Sequence, residues 1–350
     1  MLGRTLFRAA LVSGPSLPSE FEVVARHFAP LAHLFPGAYE LRDDAAVISP
    51  SSGNELVVKT DAIVASVDFP PETAPELIAR KALRVNLSDL AAKGAHPRAY
   101  LLDLVVPVTV DEKWIANFAA GLRGDQAEYG VHLIGGDLSS TPGPVAAAVC
   151  IFGEVPVGRM IRRGGAQPRD TLFATGTIGD AALGLAALKG ELAELDDGSR
   201  RFLVDRYRLP QPRVTLGCAL MGTATAAIDI SDGLIADLRH LCDVSRVDAI
   251  VEAKSVPLSP AARKAIAGAP WRLETALTGG DDYEVLFTAP HDAAERMSEL
   301  ARSTGIAITP IGRIMPLQAH TSRLVVLDEG GRPMSFAGEG WTHFGQGFQR

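Results

Sequence analysis

The chain has 350 residues, enough for two domains with a core each. Hydrophobic residues make up 47% and charged residues 21%, which excludes a disordered chain. A formal net charge of −7 argues against a nucleic-acid surface, because gripping a phosphate backbone takes a basic face.

Residues 1–18 hold a short apolar stretch broken by Arg4 and Arg8, and are expected to form a flexible extension rather than a signal peptide. The segment 44–50 (DAAVISP) and the segment 54–69 (NELVVKTDAIVASVDF) are rich in Val and Ile and read as strands. A helix follows over 71–94, with Pro75 in its first turn, Leu77, Ile78, Ala82, Val85 and Leu90 as an apolar stripe, and Gly94 as its stop. Asn86 and Asp89 are three apart and share one face of that helix. Strand 99–107 comes next, then a helix from Asp111 to about Tyr129 with Trp114, Phe118 and Leu122 as core. Strands 131–137 and 144–156 close the first half. The Gly, Pro and Arg cluster at 153–170 marks a break, so domains are expected over 19–154 and 155–350. The second half has strand 171–176, a helix over 178–190, and a strand running into a helix over 225–245 with Leu234, Leu238 and Leu241 inward. A turn and strand over 276–290 and a helix near Asp292–Thr304 come next, and further strands follow. The mixture implies α/β or α+β layers. No run is long enough to span a bilayer, and a cytoplasmic protein is expected. Cys150, Cys218 and Cys242 lack CxxC spacing and read as buried thiols. The eight histidines show no zinc spacing.

The chemistry lies in the acids. Asp43, Asp44, Asp61, Asp89, Asp137, Asp229 and Asp232 each stand where a strand-like run ends or a helix begins. Any one of them serves equally well as a cap or turn former. Together they would repel one another without cations, and Mg²⁺ prefers carboxylates combined with substrate phosphates. No P-loop, GxGxxG, GxSxG or kinase signature is present, so phosphate would be handled by carboxylates, metal and glycine-bracketed backbone.

In order, RDDAAVI, KTDAIVASVDF, RKALRVNLSDLAAKGA, LIGGD, RRGGAQPRD, GTIGDAALGL, LPQPRVTLG, AAIDISDGLIADL, GGDDYEVLFT and GWTHF resemble the thiamine-monophosphate kinases, over about Glu20 to Phe344. The resemblance implies an α/β (α+β) two-domain protein. Its N-terminal mixed sheet would form a homodimer interface, and its C-terminal domain would complete the active site. It implies ATP-dependent phosphorylation of thiamine phosphate, with several Mg²⁺ ions and K⁺ as a further co-ion. By the same resemblance Asp44, Thr60, Asp61, Asp89, Asp137, Asp229 and Asp232 hold metal. Gly136, Asp137, Arg163 and Ser231 meet ATP, Arg163 and Asp232 serve catalysis, and Asp68, Asp281 and Trp341 hold the acceptor. The chain departs from the family pattern at Arg42 (usually Gly), Lys59 (usually Ser), Asp68 (usually His) and Asp281 (usually Glu), and GGDLSST lacks the usual Thr and Arg. A superfamily enzyme with another acceptor and a non-catalytic nucleotide binder are the alternatives. No catalytic Cys or extended glycine-rich N-terminal loop favours the first, and the full set of acids disfavours the second.

Overall fold

The computed structural model describes residues 18–319, 323–338 and 340. Its first sheet contains β1 (Asn54–Val64), β2 (His96–Pro107), β3 (His132–Thr141) and β4 (Ala146–Pro156), in the order β1-β4-β2-β3. β4 runs antiparallel to β1 and β2, while β2 and β3 are parallel. A parallel pair needs a crossover, and the helix Glu112–Tyr129 supplies it. That helix starts where Asp111 accepts the Trp114 N–H at 2.8 Å, and ends at Gly130 with φ 66°. It packs with the helix Pro75–Ala92 on the inner face of the sheet, against Val57, Ile63, Leu102, Leu104, Val149 and Ile151.

The second sheet holds β5 (Thr171–Thr175), β6 (Ala226–Asp229), β7 (Val247–Glu252), β8 (Val285–Ala289), β9 (Ile308–Pro316) and β10 (Leu324–Leu327), in the order β10-β7-β9-β5-β8-β6. Both of its faces are covered, since strand residues alternate between two clusters. Leu172, Ala174 and Leu286 meet Leu234, Leu238 and Leu241 of the helix Leu234–Ser245. On the other side Phe173 stacks on Phe287 at 5.2 Å among Leu216, Leu220, Met297 and Leu300.

The helix Pro75–Ala92 is the spine between the sheets. Its Ala91 lies in the second sheet's core cluster, Arg84 donates to the Pro210 carbonyl at 2.9 Å, and Lys93, which ends the helix, donates to Ala227 of β6 at 2.8 Å. Gly217 has to be glycine, because a Cβ there would lie 2.0 Å from the Ala91 carbonyl oxygen.

Some expectations fail. Residues 44–50 form no strand: Val47 is 53% exposed and its N–H donates locally to Gly37 O at 2.9 Å rather than to a neighbouring strand. The polar stretch after 190 contains the helix Asp197–Arg208, which buries Leu203 and Tyr207 together with the polar Ser199 and Arg206. The strand Val247–Glu252 and the helices Pro260–Gly268 and Arg272–Thr278 gave no clear signal. Of the cysteines only Cys242 is buried; Cys150 and Cys218 are partly exposed, and all three are free. Among the described residues no helix is long and apolar enough to cross a membrane.

Candidate functional site at the seam between the sheets

Period-two alternation puts Asp61 on the inner face of β1, on the side of Val57 and Ile63. There its N–H donates to Oδ1 of Asn86 at 2.9 Å, which fixes the free edge of β1 against the helix Pro75–Ala92. Asp89, one turn on from Asn86, faces the same strand. Lys59 Nζ stands between the two acids, 3.2 Å from Asp61 Oδ2 and 3.1 Å from Asp89 Oδ2. Asp229 enters from the end of β6, buried beside Ser88. Burial first, and then repulsion by Asp229 and Asp61, pushes the Asp89 carboxyl up to about 8 against the pull of Lys59. Burial likewise raises Asp229, although Ser88, Lys93 and Lys59 draw it down. This cluster of like charges is what a bound cation would relieve. Among the described residues no three possible ligands converge closely enough to hold a metal by themselves.

Asp229 leads into the turn that carries Ser231 and Asp232. The loop at 279–284 clasps this turn through Asp281 N–H to Ser231 O, Tyr283 N–H to Ile230 O and Ile230 N–H to Glu284 O, each 2.8 Å. The approach is so close that a Cβ on Gly280 would sit 2.2 Å from the Ser231 oxygen, and Asp281 adopts φ 73°. One oxygen of Asp237 accepts the N–H groups of Ser231, Asp232 and Gly233 at 3.0, 3.0 and 3.2 Å. Burial, then Asp229 and Asp232, raises the Asp237 carboxyl to about 8. Below the loop Glu284, fully buried, is held by Thr175, Arg206 and Arg213.

Asp281 and Asp68 meet at a buried ammonium. Lys81 Nζ lies 3.0 Å from Asp281 Oδ2, donates to the Asp68 carbonyl at 2.9 Å and stands 4.1 Å above the Tyr207 ring. The Asp68 carboxylate accepts the Val64 N–H at 2.7 Å, a turn-forming role. Arg163, exposed on the loop between the sheets, helps to lower the ammonium of Lys93. That group reaches about 8, chiefly through burial and against the attraction of Asp229.

The remaining expected residues lie elsewhere. Thr60 points to the outer face of the first sheet, opposite to Asp61, and pairs with Cys150. Asp137 is outward too, beside Asp103 in the β2–β3 register, and accepts from Ser139 Oγ at 2.6 Å. Gly136 before it has φ 146°, and a Cβ there would stand 1.8 Å from Leu102 O. Asp44 is exposed on the irregular segment whose Ala46 and Ile48 pack with Ala99, Leu101 and Phe152. Trp341 lies outside the described residues. The seam therefore gathers Asp61, Asp89, Asp229 and, one turn away, Asp232, while Asp44, Thr60 and Asp137 belong to the other side of the first sheet. Sequence reasoning missed Lys81, Lys93 and Asp237 as site residues, and noted Lys59 only as a departure. The only sequence signal for Lys81 was a cation within an apolar helical stripe.

The description AIR synthase related protein, N-terminal domain, matches residues 42–155, and AIR synthase related protein, C-terminal domain, matches 167–324. The chain thus has the two-domain α+β architecture of the AIR synthase related proteins, with Asp61, Asp89, Asp229 and Asp232 between the two sheets. The thiamine-monophosphate kinase of Caulobacter vibrioides is 39% identical over 329 residues, covering 93% of this chain and 91% of that protein. That of Salmonella typhimurium is 37% identical over 326 residues, covering 93% and 98%. Among solved structures, thiamine-monophosphate kinase from Stenotrophomonas maltophilia K279a superposes with a TM-score of 0.75 at 40% identity, over 81% of this chain and 89% of that one. AaThiL complexed with AMPPCP and TMP superposes with a TM-score of 0.73 at 29% identity, over 86% and 91%. The chain belongs to the thiamine-monophosphate kinase family.

Proposed function

We propose that the chain transfers the γ-phosphoryl group of ATP directly onto thiamine phosphate, giving thiamine diphosphate and ADP, the last step in making thiamine diphosphate. The observation that carries this reading is the convergence of Asp61, Asp89 and Asp229 at the seam in a chain so similar to proteins of that name. The relative captured with AMPPCP and TMP supports the same pair of substrates.

A phosphate monoester has a second pKa of about 6, so the acceptor oxygen is largely ionised at neutral pH and no general base is needed. The obstacle is repulsion between two polyanions, and the site has to supply positive charge and alignment. The donors fit Mg²⁺: they are all oxygen, they repel one another when empty, and Mg²⁺ is commonly held by one or two carboxylates plus substrate phosphates. We assign Asp61, Asp89, Asp229 and Asp232 to ions at the seam, and Asp44, Thr60 and Asp137 to a further position across the first sheet, with K⁺ as a possible co-ion. When bound, Mg²⁺ would supply positive charge to the ATP phosphates and to the acceptor phosphate.

The chain's own groups do the rest. Arg163 and Ser231, with Gly136 and Asp137, orient the nucleotide, and Lys93 adds positive charge beside Arg163. Arg163 and Asp232 act nearest the transferred group. Asp281, Asp68 and Trp341 face the acceptor, with Lys81 positioning Asp281. Residues 19–154 form the nucleotide and dimerisation domain, and 155–350 complete the site. The outer face of the first sheet, with Val58 56% exposed and Leu101, Val105 and Cys150 partly so, is the surface we assign to a homodimer in the cytoplasm.

The test is incubation of the protein with ATP, Mg²⁺ and thiamine phosphate, followed by chromatography. Thiamine diphosphate and ADP in equal amounts are expected. ADP alone would indicate another acceptor, and neither product would indicate a non-catalytic binder.

A further inference from the structure

We propose that Lys59 is a built-in cation that takes the place of one divalent ion between Asp61 and Asp89. The proposal rests on the reading above that this cluster carries metal. Two carboxylates from different elements, β1 and the helix Pro75–Ala92, face one ammonium at 3.2 and 3.1 Å. The strand and the helix that carry them are joined by a bond that does not involve that ammonium. Asn86 holds the strand to the helix through the Asp61 N–H at 2.9 Å and anchors itself on Ala82 O at 3.0 Å. Without Lys59 the two acids would face each other from strand and helix with no cation of the chain between them, and Asp229 would add to the repulsion.

The ammonium fills that gap as a single charge with three hydrogens to donate, whereas Mg²⁺ would draw the same oxygens to about 2.0–2.1 Å. Lys59 reaches its position from the strand that also carries Asp61. It lies two residues before Asp61 on the same face of an edge strand, so its stem runs alongside the strand and its head turns inward, with a third of the side chain still exposed. A strand-borne lysine of this kind leaves the chain neutralised at this edge before any metal arrives. Ions that enter with the nucleotide then occupy the remaining positions, which Asp61 and Asp89 share with Asp229 and Asp232.

The test is the number of Mn²⁺ ions bound per chain, followed by electron paramagnetic resonance of free Mn²⁺, with a methylene-bridged ATP analogue present. Lys59→Ser is expected to bind about one ion more than wild type. Its melting temperature in EDTA is expected to drop and to recover on adding Mg²⁺, by more than the wild type gains. Lys59→Arg keeps the charge and is expected to bind the wild-type number. Equal counts for wild type and K59S would overturn the proposal while leaving the metal reading intact. Binding of no Mn²⁺ by either protein would overturn both. A K59R protein that gains the extra ion would overturn the proposal however K59S folds.

Discussion

Replacing Asp237 separates the shape of the Ser231–Asp232 turn from its charge. One carboxylate oxygen accepts three backbone N–H groups at 3.0–3.2 Å, and a side chain only 2% exposed leaves water little access to replace it. A hydrogen bond to an uncharged acceptor contributes about 0.5–1.5 kcal/mol net, and burial has made this carboxyl largely uncharged at neutral pH. Three bonds crowded on one oxygen, with the turn itself half-exposed, add up to less than three such values. The N–H groups left without an acceptor in this partly buried turn add their desolvation cost, which puts the loss for Asp237→Ala at about 3 kcal/mol. Asp237→Asn keeps an oxygen in the same place. It also mimics a carboxyl that its surroundings have already pushed up to about 8, so its loss should stay below about 1 kcal/mol at neutral pH. Urea unfolding gives both values, and calorimetry with a non-hydrolysable ATP analogue shows whether the loosened turn weakens binding in the alanine variant alone. Equal losses for the two variants, or an alanine variant as stable as wild type, would refute the reasoning.

Asp89→Asn removes a carboxylate from the seam without changing its size. It should cut kcat/KM by about a hundredfold and raise the Mg²⁺ concentration needed for half-maximal rate, whereas an unchanged Mg²⁺ dependence would remove Asp89 from the metal site. Burial lifts the Asp282 carboxyl from 3.8 to about 8, so the folded chain holds a proton there that the unfolded chain has released. That contribution is complete below the ordinary carboxylate range and is lost as pH rises through 8. Asp282→Asn should flatten the dependence of melting temperature on pH across that window, and a slope identical to wild type would speak against it. Gly136→Ala forces a Cβ to 1.8 Å from Leu102 O at φ 146° and should cost about 3 kcal/mol or more, read by thermal melting, unless β3 separates from β2 without penalty.

The helix carrying Asn86 and Asp89 was legible because its apolar stripe, its Pro75 start and its Gly94 stop agree, and because a three-residue spacing fixes a shared face. Strand alternation likewise dictates that Thr60 and Asp61 face opposite ways, so the TD pair divides between the two sides of the first sheet. Other features depend on packing between segments far apart in sequence. Lysines are ordinarily solvent groups, and nothing local marks Lys81 for burial against Asp281, 200 residues away, or Lys93 for a bond to Ala227. Residues 44–50 have the Val and Ile of a strand, but Val47 bonds locally to Gly37 while Ala46 and Ile48 pack on the first sheet, so the segment joins neither of its edges. The helix Asp197–Arg208 is mostly charged and is held in part by Arg206 on the buried Glu284, a partner that periodicity does not reveal.

The most direct measurement is the stereochemistry at phosphorus when ATP with a chiral, isotopically labelled γ-phosphoryl group reacts with thiamine phosphate on this protein. Transfer between two substrates held in line at the seam, with no protein nucleophile, predicts inversion of configuration in the thiamine diphosphate formed. Retention, or label trapped on a side chain, would contradict the account.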